Sequence, residues 1–531
     1  SARAQSTCPK TASQRTPNPY DVPMPAPAPL PAPDDSRYLA LCSRDARFDG
    51  QFFTGVTSTG IYCRPVCAVR TPRREHCRFF TLAAQAESAG FRPCLRCRPE
   101  VAPQALAWSV QDASSILVQQ ALRLIDTPQA WDTPEGLGVA RLAQRLGVSD
   151  RHLRRIFEAA LGVSPLQYLQ TRRLLLAKQL LTDTRLPVTQ VALSSGFGSV
   201  RRFNAAFATH YGLNPSQLRR AGAPAAPGDA GLCGSIRLAY RPPLDVPALL
   251  AFFAQRQFTG VECADPANGT LRRTVRLQAG SRELTGWMAA RFDTARHQVW
   301  LQTSEHLAPA LAQVIARVRA MLDLDADPAA IHAVLGAAFP GTEGLRVPGA
   351  FDGFELAVRA VLGQQITVAA ARTLGQRLVE RLGEPVATPW PDLQRLFPSP
   401  ATLAQAEGEV LGQLGIVRQR QAAIVALARA VDSGQLALHP GADVAATTQA
   451  LCQLPGIGDW TAQYIALRAL RWPDAFPAGD VALQKALGVQ GQPQPARAAT
   501  ALAQAWRPWR GYAVLRAWAT GCISSASLSK A

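Results

Sequence analysis

Along residues 110–220, leucine, isoleucine and valine recur at spacings of three and four, so an all-helical block with one buried face per helix is predicted there. From residue 235 to about 303 the pattern turns to alternation: LRRTVRL and HQVWLQT read as half-buried strands. Helical spacing returns at Leu307 and runs to the end. Ahead of these blocks, residues 37–98 mix turn residues with short aromatic-rich runs such as Gln51-Phe52-Phe53 and predict a small α+β unit with a limited core. Two tracts carry no periodicity. TASQRTPNPYDVPMPAPAPLPAPD, rich in proline and alanine, predicts a disordered leader over 1–34. AGAPAAPGDAG, residues 221–231, predicts a linker that lets its flanks move independently.

At roughly 100 to 200 residues per domain, a chain of 531 residues holds several units. The 39 Gly and 41 Pro are dispersed rather than periodic, which excludes collagen. No apolar run approaches the roughly 20 residues of a membrane helix, and the first residues lack the apolar core of a signal peptide; a cytoplasmic protein is expected. The net charge of +18 is concentrated: residues 61–98 carry +6 and residues 137–220 carry +10. Basic charge gathered in this way favours phosphate, although a solvated face would show the same composition.

Eleven cysteines, an odd number unevenly spread, do not resemble a disulfide framework. Four stand as Cys63-x3-Cys67 and Cys94-x2-Cys97, the paired-thiolate spacing of a zinc site. Arg64, Arg70, Arg92, Arg96 and Arg98 lie close by in sequence and are expected to offset the excess negative charge of four thiolates. His76 and Cys77 lie between the pairs as substitute ligands. The remaining cysteines are isolated and read as buried or free thiols.

Two stretches of the helical block share one plan, LGVARLAQRLGVSDRHLRRIFEAA and PVTQVALSSGFGSVRRFNAAFATHY. Each reads as a helix, a glycine turn and a second helix capped by Ser149 or Ser199, the helix-turn-helix arrangement. The second helices present Arg151, His152, Arg154 and Arg155, or Arg201, Arg202 and Asn204, for groove and phosphate contact. A plain helical bundle has similar apolar spacing.

GIYCRPVC and GFRPCLRCRPE resemble the amino-terminal zinc module of Ada-type alkylation-response proteins, and the paired helix-turn-helix units resemble the AraC-type domain that follows it there. The resemblance implies one Zn2+, held by Cys63, Cys67, Cys94 and Cys97. It also implies that Cys63 accepts a methyl group from a DNA methylphosphotriester. Methylation would remove one negative charge from a phosphate-facing surface, raise DNA affinity and so signal to transcription. A purely structural zinc is the alternative, since four thiolates commonly make a closed site.

In the carboxy-terminal half, Leu454-Pro455-Gly456-Ile457-Gly458 reads as a hairpin between helices whose amides meet a DNA phosphate, or as a simple helix connector. Asp480, twenty-two residues past Gly458, begins a further helix and reads either as its N-cap or as a catalytic carboxylate. PGAFDGFELAVRAVLGQQITVAAA, the hairpin with Asp480, and WRPWRGYAVLRAWATG together resemble AlkA-type DNA glycosylases, and the strand-rich block resembles their amino-terminal subdomain. The resemblance implies Asp480 as the essential carboxylate and Trp518, Tyr464 and Trp460 as the base pocket. Trp460 stands where related lyases carry a Schiff-base lysine, which implies a monofunctional hydrolase. Gln365 stands where the family has a wedging leucine, and Asp459 where a basic residue is common. With no Pro-Cys-His-Arg segment, direct O6-methylguanine repair is not expected.

The expected fold is multidomain: a small α+β zinc module (35–105), an all-α AraC-type double helix-turn-helix (110–220), a linker (221–233), then an α+β subdomain (234–325) with an all-α helix-hairpin-helix glycosylase domain (326–531). The expected protein is a monofunctional glycosylase for bases such as 3-methyladenine, a suicide methyl acceptor and a transcription regulator. It would act on double-stranded DNA as a monomer of the bacterial cytoplasm and nucleoid, with RNA polymerase as a further partner. The rival is a regulator whose glycosylase-like half only binds DNA.

Overall fold

The computed structural model describes residues 33–104, 113–127, 138–222, 234–406 and 408–522; nearly all of the leader and linker readings fall outside them. The cysteine-bearing segment forms a four-stranded sheet in the order β3-β1-β2-β4, from β1 (Phe53–Val56), β2 (Ile61–Cys63), β3 (Cys77–Phe80) and β4 (Arg92–Pro93). Strands β2 and β4 pair in parallel, Ile61 with Arg92 and Tyr62 with Pro93. That register places Cys63, the last residue of β2, beside Cys94, the first residue after β4. Phe53, Tyr62, Ala86 and Phe91 fill the small core beneath.

The helical block contains the two expected units. Val139–Arg145 and Asp150–Leu161 form the first, with Gly147 in the left-handed region (φ 67°); Val188–Ser194 and Val200–Tyr211 form the second, with Gly196 at φ 79°. Leu153, Ile156 and Phe157, and likewise Phe203, Phe207 and Tyr211, sit one helical turn apart and are buried, which turns the charged faces outward. The 19-residue helix Pro165–Asp183 joins the units.

Beyond it lies a five-stranded antiparallel sheet in the order β5-β9-β8-β7-β6, from β5 (Ile236–Ala239), β6 (Glu262–Asp265), β7 (Thr270–Ala279), β8 (Arg282–Asp293) and β9 (Gln298–Thr303). LRRTVRL falls in β7 and HQVWLQT leads into β9. Helices follow to the end of the described chain. Among the described residues, no helix is long and apolar enough to cross a membrane.

The independence expected of the two halves is not what the described residues show. Leu174 and Leu180 of the Pro165–Asp183 helix, with Phe203 and Phe207 of the second helix-turn-helix unit, share one continuous core with Ile236, Leu238 and Leu301 of the sheet. Gln179 Nε2 donates to the Arg237 carbonyl at 2.8 Å. The composition of a proline- and alanine-rich tract carries no information on the area its flanks bury against each other.

A second junction runs through Arg241, which is completely buried. Its Nε donates to the Asp49 carbonyl (2.7 Å), Nη1 to those of Asp325 (2.8 Å) and Ala326 (3.1 Å), and Nη2 to those of Gln104 (2.7 Å) and Pro103 (3.3 Å). One guanidinium thus ties the zinc module to the sheet subdomain and to the helices beyond it. Its five N–H donors are all used, on five carbonyls, and the bonds to Asp49, Ala326 and Pro103 are buried.

Candidate metal centre and base-binding cleft

The sulfurs of Cys63, Cys67, Cys94 and Cys97 all lie within 4.8 Å of one another. No other His, Cys, Asp or Glu joins them among the described residues, so His76 and Cys77 are not ligands; Cys77 Sγ donates to the Arg73 carbonyl instead. Four soft donors gathered this closely fit zinc. The Arg64 amide donates to Cys97 Sγ at 3.3 Å.

The arginines expected to balance the thiolates divide into two groups. Arg64 is buried against Asp49 and donates to the Cys97 carbonyl; Arg98 is buried between Glu100 (2.9 Å) and Asp183 (2.6 Å). These two are spent on carboxylates, because a buried guanidinium must be paired. Arg70, Arg92 and Arg96 remain exposed. Lys178 of the long helix reaches Glu100 at 2.5 Å, so the segment after Cys97 is anchored on the helix between the two helix-turn-helix units.

On those units Ser149 accepts from the His152 amide and Ser199 from the Arg202 amide, each at 3.2 Å, as N-caps should. Arg151, Arg154, Arg155, Arg201, Arg202 and Asn204 are all exposed. Arg154 is partly offset by Asp150 at 2.9 Å.

In the carboxy-terminal half, Gly456 takes φ 73°, and Gly458 caps the Asp459–Arg468 helix with no side chain over its first amides. Those amides are left open to an anion. Asp459 begins the same helix and is exposed. Gln365 is also exposed and holds a left-handed backbone (φ 56°). Its neighbour Gln364, which sequence reasoning passed over, donates to the Gly456 carbonyl (2.9 Å) and to Thr461 Oγ1 (3.0 Å), while Arg420 donates to the Gln364 carbonyl. The Gln365 turn and the hairpin are therefore one unit.

Asp480 caps the short Val481–Ala486 helix, its Oδ1 accepting from the Leu483 amide at 2.6 Å. The same carboxylate accepts from the indoles of Trp460 (Oδ2, 2.8 Å) and Trp518 (Oδ1, 3.0 Å). N-cap and cleft carboxylate are thus one arrangement. Trp460 stacks on Tyr464 with centroids 5.4 Å apart and planes 10° from parallel, and Trp518 lies 6.3 Å from Tyr464. These four residues line one open cleft of about 420 Å³, and the structure brings together all four that the sequence singled out for the base site.

The far wall was not legible. It carries Phe252, Arg256, Arg468 and a buried network in which Arg273 meets Glu262 (3.3 Å) and Glu355 (2.6 Å), and Arg359 meets Glu355 (2.7 Å). Burial alone would raise the Glu355 carboxyl, but Arg273 and Arg359 outweigh it and hold the group below its ordinary range.

Four stretches match known domains: residues 36–100 the metal-binding domain of Ada, 142–221 a helix-turn-helix domain, 235–352 the AlkA N-terminal domain and 358–510 the HhH-GPD superfamily of base excision DNA repair proteins. The chain is 39% identical over 492 residues to a "Probable bifunctional transcriptional activator/DNA repair enzyme AlkA" of Mycobacterium tuberculosis, covering 91% of this chain and 95% of that protein. It is 34% identical over 283 residues to DNA-3-methyladenine glycosylase 2 of Escherichia coli, covering 53% of this chain and 96% of that one. To the Escherichia coli bifunctional transcriptional activator/DNA repair enzyme Ada it is 33% identical over 189 residues, 36% of this chain and 50% of that protein.

Proposed function

Since this chain belongs to the family of bifunctional transcriptional activator/DNA repair enzymes that join Ada-type zinc and helix-turn-helix domains to an AlkA-type glycosylase half, we propose a specific division of labour among its residues. Asp480 serves the hydrolytic removal of alkylated bases such as 3-methyladenine from DNA. Cys63 accepts methyl from DNA methylphosphotriesters. The exposed basic residues of the two reading helices bind promoter DNA. In this reading residues 35–105 are the methyl acceptor, 110–220 the reader and 234–531 the glycosylase, in a cytoplasmic, nucleoid-associated monomer that engages RNA polymerase at the promoter.

The observation that carries the glycosylase reading is Asp480, a carboxylate held by two indoles and an amide at the side of an aromatic cleft. The target base leaves the stack and enters the cleft, where Trp460, Tyr464 and Trp518 offer ring faces that favour a cationic methylated purine. As the glycosidic bond breaks, positive charge develops on the sugar. An ionised Asp480 stabilises it and orients the water that adds. The residue at the hairpin helix is Trp460, which has no amine for a Schiff base, so base removal should leave the strand intact. Gly456, Gly458 and the exposed Gln365 hold the DNA backbone and the vacated gap.

In the zinc module, bound zinc would keep the four sulfurs deprotonated and nucleophilic. The Cys63 sulfur attacks the methyl carbon of the triester; the S–C bond forms, the C–O bond breaks, and the phosphate leaves as a diester anion.

The deciding experiment is release of 3-methyladenine from methylated DNA by wild type and by Asp480→Asn. Release by the wild type alone is the expected result. No release by wild type would favour the regulator whose glycosylase-like half only binds DNA.

A further inference from the structure

Arg468 lies one helical turn beyond Tyr464 and is only 7% exposed. Its Nε and Nη2 donate to the carbonyls of Pro348 (2.7 Å) and Gly349 (3.2 Å), which fix the guanidinium in place. Its Nη1 donates to the Tyr464 hydroxyl at 2.5 Å. A guanidinium carries donors and no acceptor. The phenol oxygen must therefore be the acceptor, and its own proton turns to the other side of the C–O bond. No described residue accepts that proton, and Tyr464 lines the cleft. Behind it Phe252 is flanked by two guanidiniums, Arg468 at 4.7 Å and Arg256 at 3.7 Å from the ring centroid. The cleft therefore has an anionic side at Asp480 and a cationic side behind Tyr464 and Phe252.

We propose that Tyr464 donates a hydrogen bond to the extruded base, that Arg468 is the positioning residue that holds it in this role, and that the pair favours the departure of uncharged bases over cationic ones. The inference rests on the glycosylase reading and adds a residue role to it. When the bond from C1′ to the base nitrogen breaks, its electron pair passes to the base. A cationic methylated purine becomes neutral and needs little help. An uncharged base becomes an anion, which a donor backed by positive charge stabilises as the charge develops. The sugar faces Asp480 and takes up water, whose proton passes to that carboxylate or to solvent, and the departed anion is protonated by solvent.

The test compares single-turnover release from duplexes holding one hypoxanthine, which is uncharged, with release from duplexes holding one 7-methylguanine, which is cationic. Tyr464→Phe keeps the stacked ring and loses the donor. The ratio of hypoxanthine to 7-methylguanine release should fall about tenfold, the worth of one lost hydrogen bond to a developing charge, and Arg468→Met should shift the ratio the same way. Because Arg468 also supports two carbonyls, that variant can misfold, and Tyr464→Phe then decides alone. An equal fall in both rates overturns the proposal, as does a wild type that releases 7-methylguanine but no hypoxanthine. A wild type that releases neither, yet releases 3-methyladenine, also overturns the proposal, whereas one that releases none of the three sinks the glycosylase reading instead.

Discussion

Trp460 donates its indole proton to Asp480 Oδ2 at 2.8 Å, the one hydrogen bond which that oxygen accepts among the described residues. Oδ1 already accepts two, from Leu483 and Trp518. A carboxylate oxygen offers two lone-pair directions, so the uncommitted electron density of Asp480 is on Oδ2. That is the part of the charge left to face a sugar.

Asp480→Asn removes the charge and keeps the cap. Asparagine caps a helix as well as aspartate does, so the Val481–Ala486 helix should persist; its amide nitrogen donates and cannot accept from Trp460, so one indole N–H loses its partner, at about 1–3 kcal/mol of stability. Base release should drop by about 100-fold or more, the scale of losing one preorganised electrostatic partner. A variant that keeps more than a tenth of wild-type release would show that the carboxylate charge is not what the reaction uses.

What was legible in the chain follows from how local each signal is. Two cysteine pairs at ligand spacing are local, and so are a serine cap before a basic helix and two glycines in a hairpin; the structure has each of them. The register of β2 on β4, which brings the pairs together, depends on residues thirty positions apart. Arg241, Arg256 and Arg468 look like surface charge in a sequence because composition gives no direction to a side chain. Gln364 belongs to no motif of its own, and the family resemblance marks its neighbour Gln365 instead. The 221–231 tract misled because the core shared by its flanks is formed by helix faces and strands on either side of it.

Arg241→Lys should destabilise the junction between the zinc module and the glycosylase half. Lysine has three donors on a single atom and cannot serve five carbonyls. At least two buried acceptors would lose their partners, at about 1–3 kcal/mol each. Calorimetry of the full chain should show the first unfolding transition lowered by several degrees, with Arg241→Met lower still. An unchanged transition would mean that these contacts do not bind the two halves together.

His210, in the last turn of the second reading helix, lies 3.3 Å from Glu87 of the zinc module. The bond to Glu87 raises its pKa above the usual 6.5 despite the opposing effect of burial. A raised folded value means that the stabilisation is fully present below the unfolded pKa and is lost as pH rises through the folded one. The side chain is 27% exposed, so the effect should stay under about 1 kcal/mol. Denaturation midpoints measured from pH 5.5 to 8.5 should fall more steeply with pH for wild type than for His210→Gln; parallel curves would remove the coupling.

Cys63→Ala should lose all uptake of labelled methyl from methylphosphotriester DNA, while persistence of uptake would move the acceptor to another sulfur. The consequence for regulation follows from charge. Converting one thiolate to a thioether removes one negative charge from Cys63, which is 5% exposed, beneath a face that must approach phosphates and that carries the exposed Arg70, Arg92 and Arg96. At surface dielectric, one charge at contact range amounts to about 1 kcal/mol or somewhat more, so promoter affinity should rise about fivefold or more after methyl transfer. If the gain is electrostatic it must shrink as salt rises toward a Debye length of a few ångströms. Fluorescence anisotropy with promoter DNA at two salt concentrations, before and after methylation, reads both. Equal affinities in low salt would remove the switch, and a gain that salt leaves untouched would assign it to a change of shape rather than of charge.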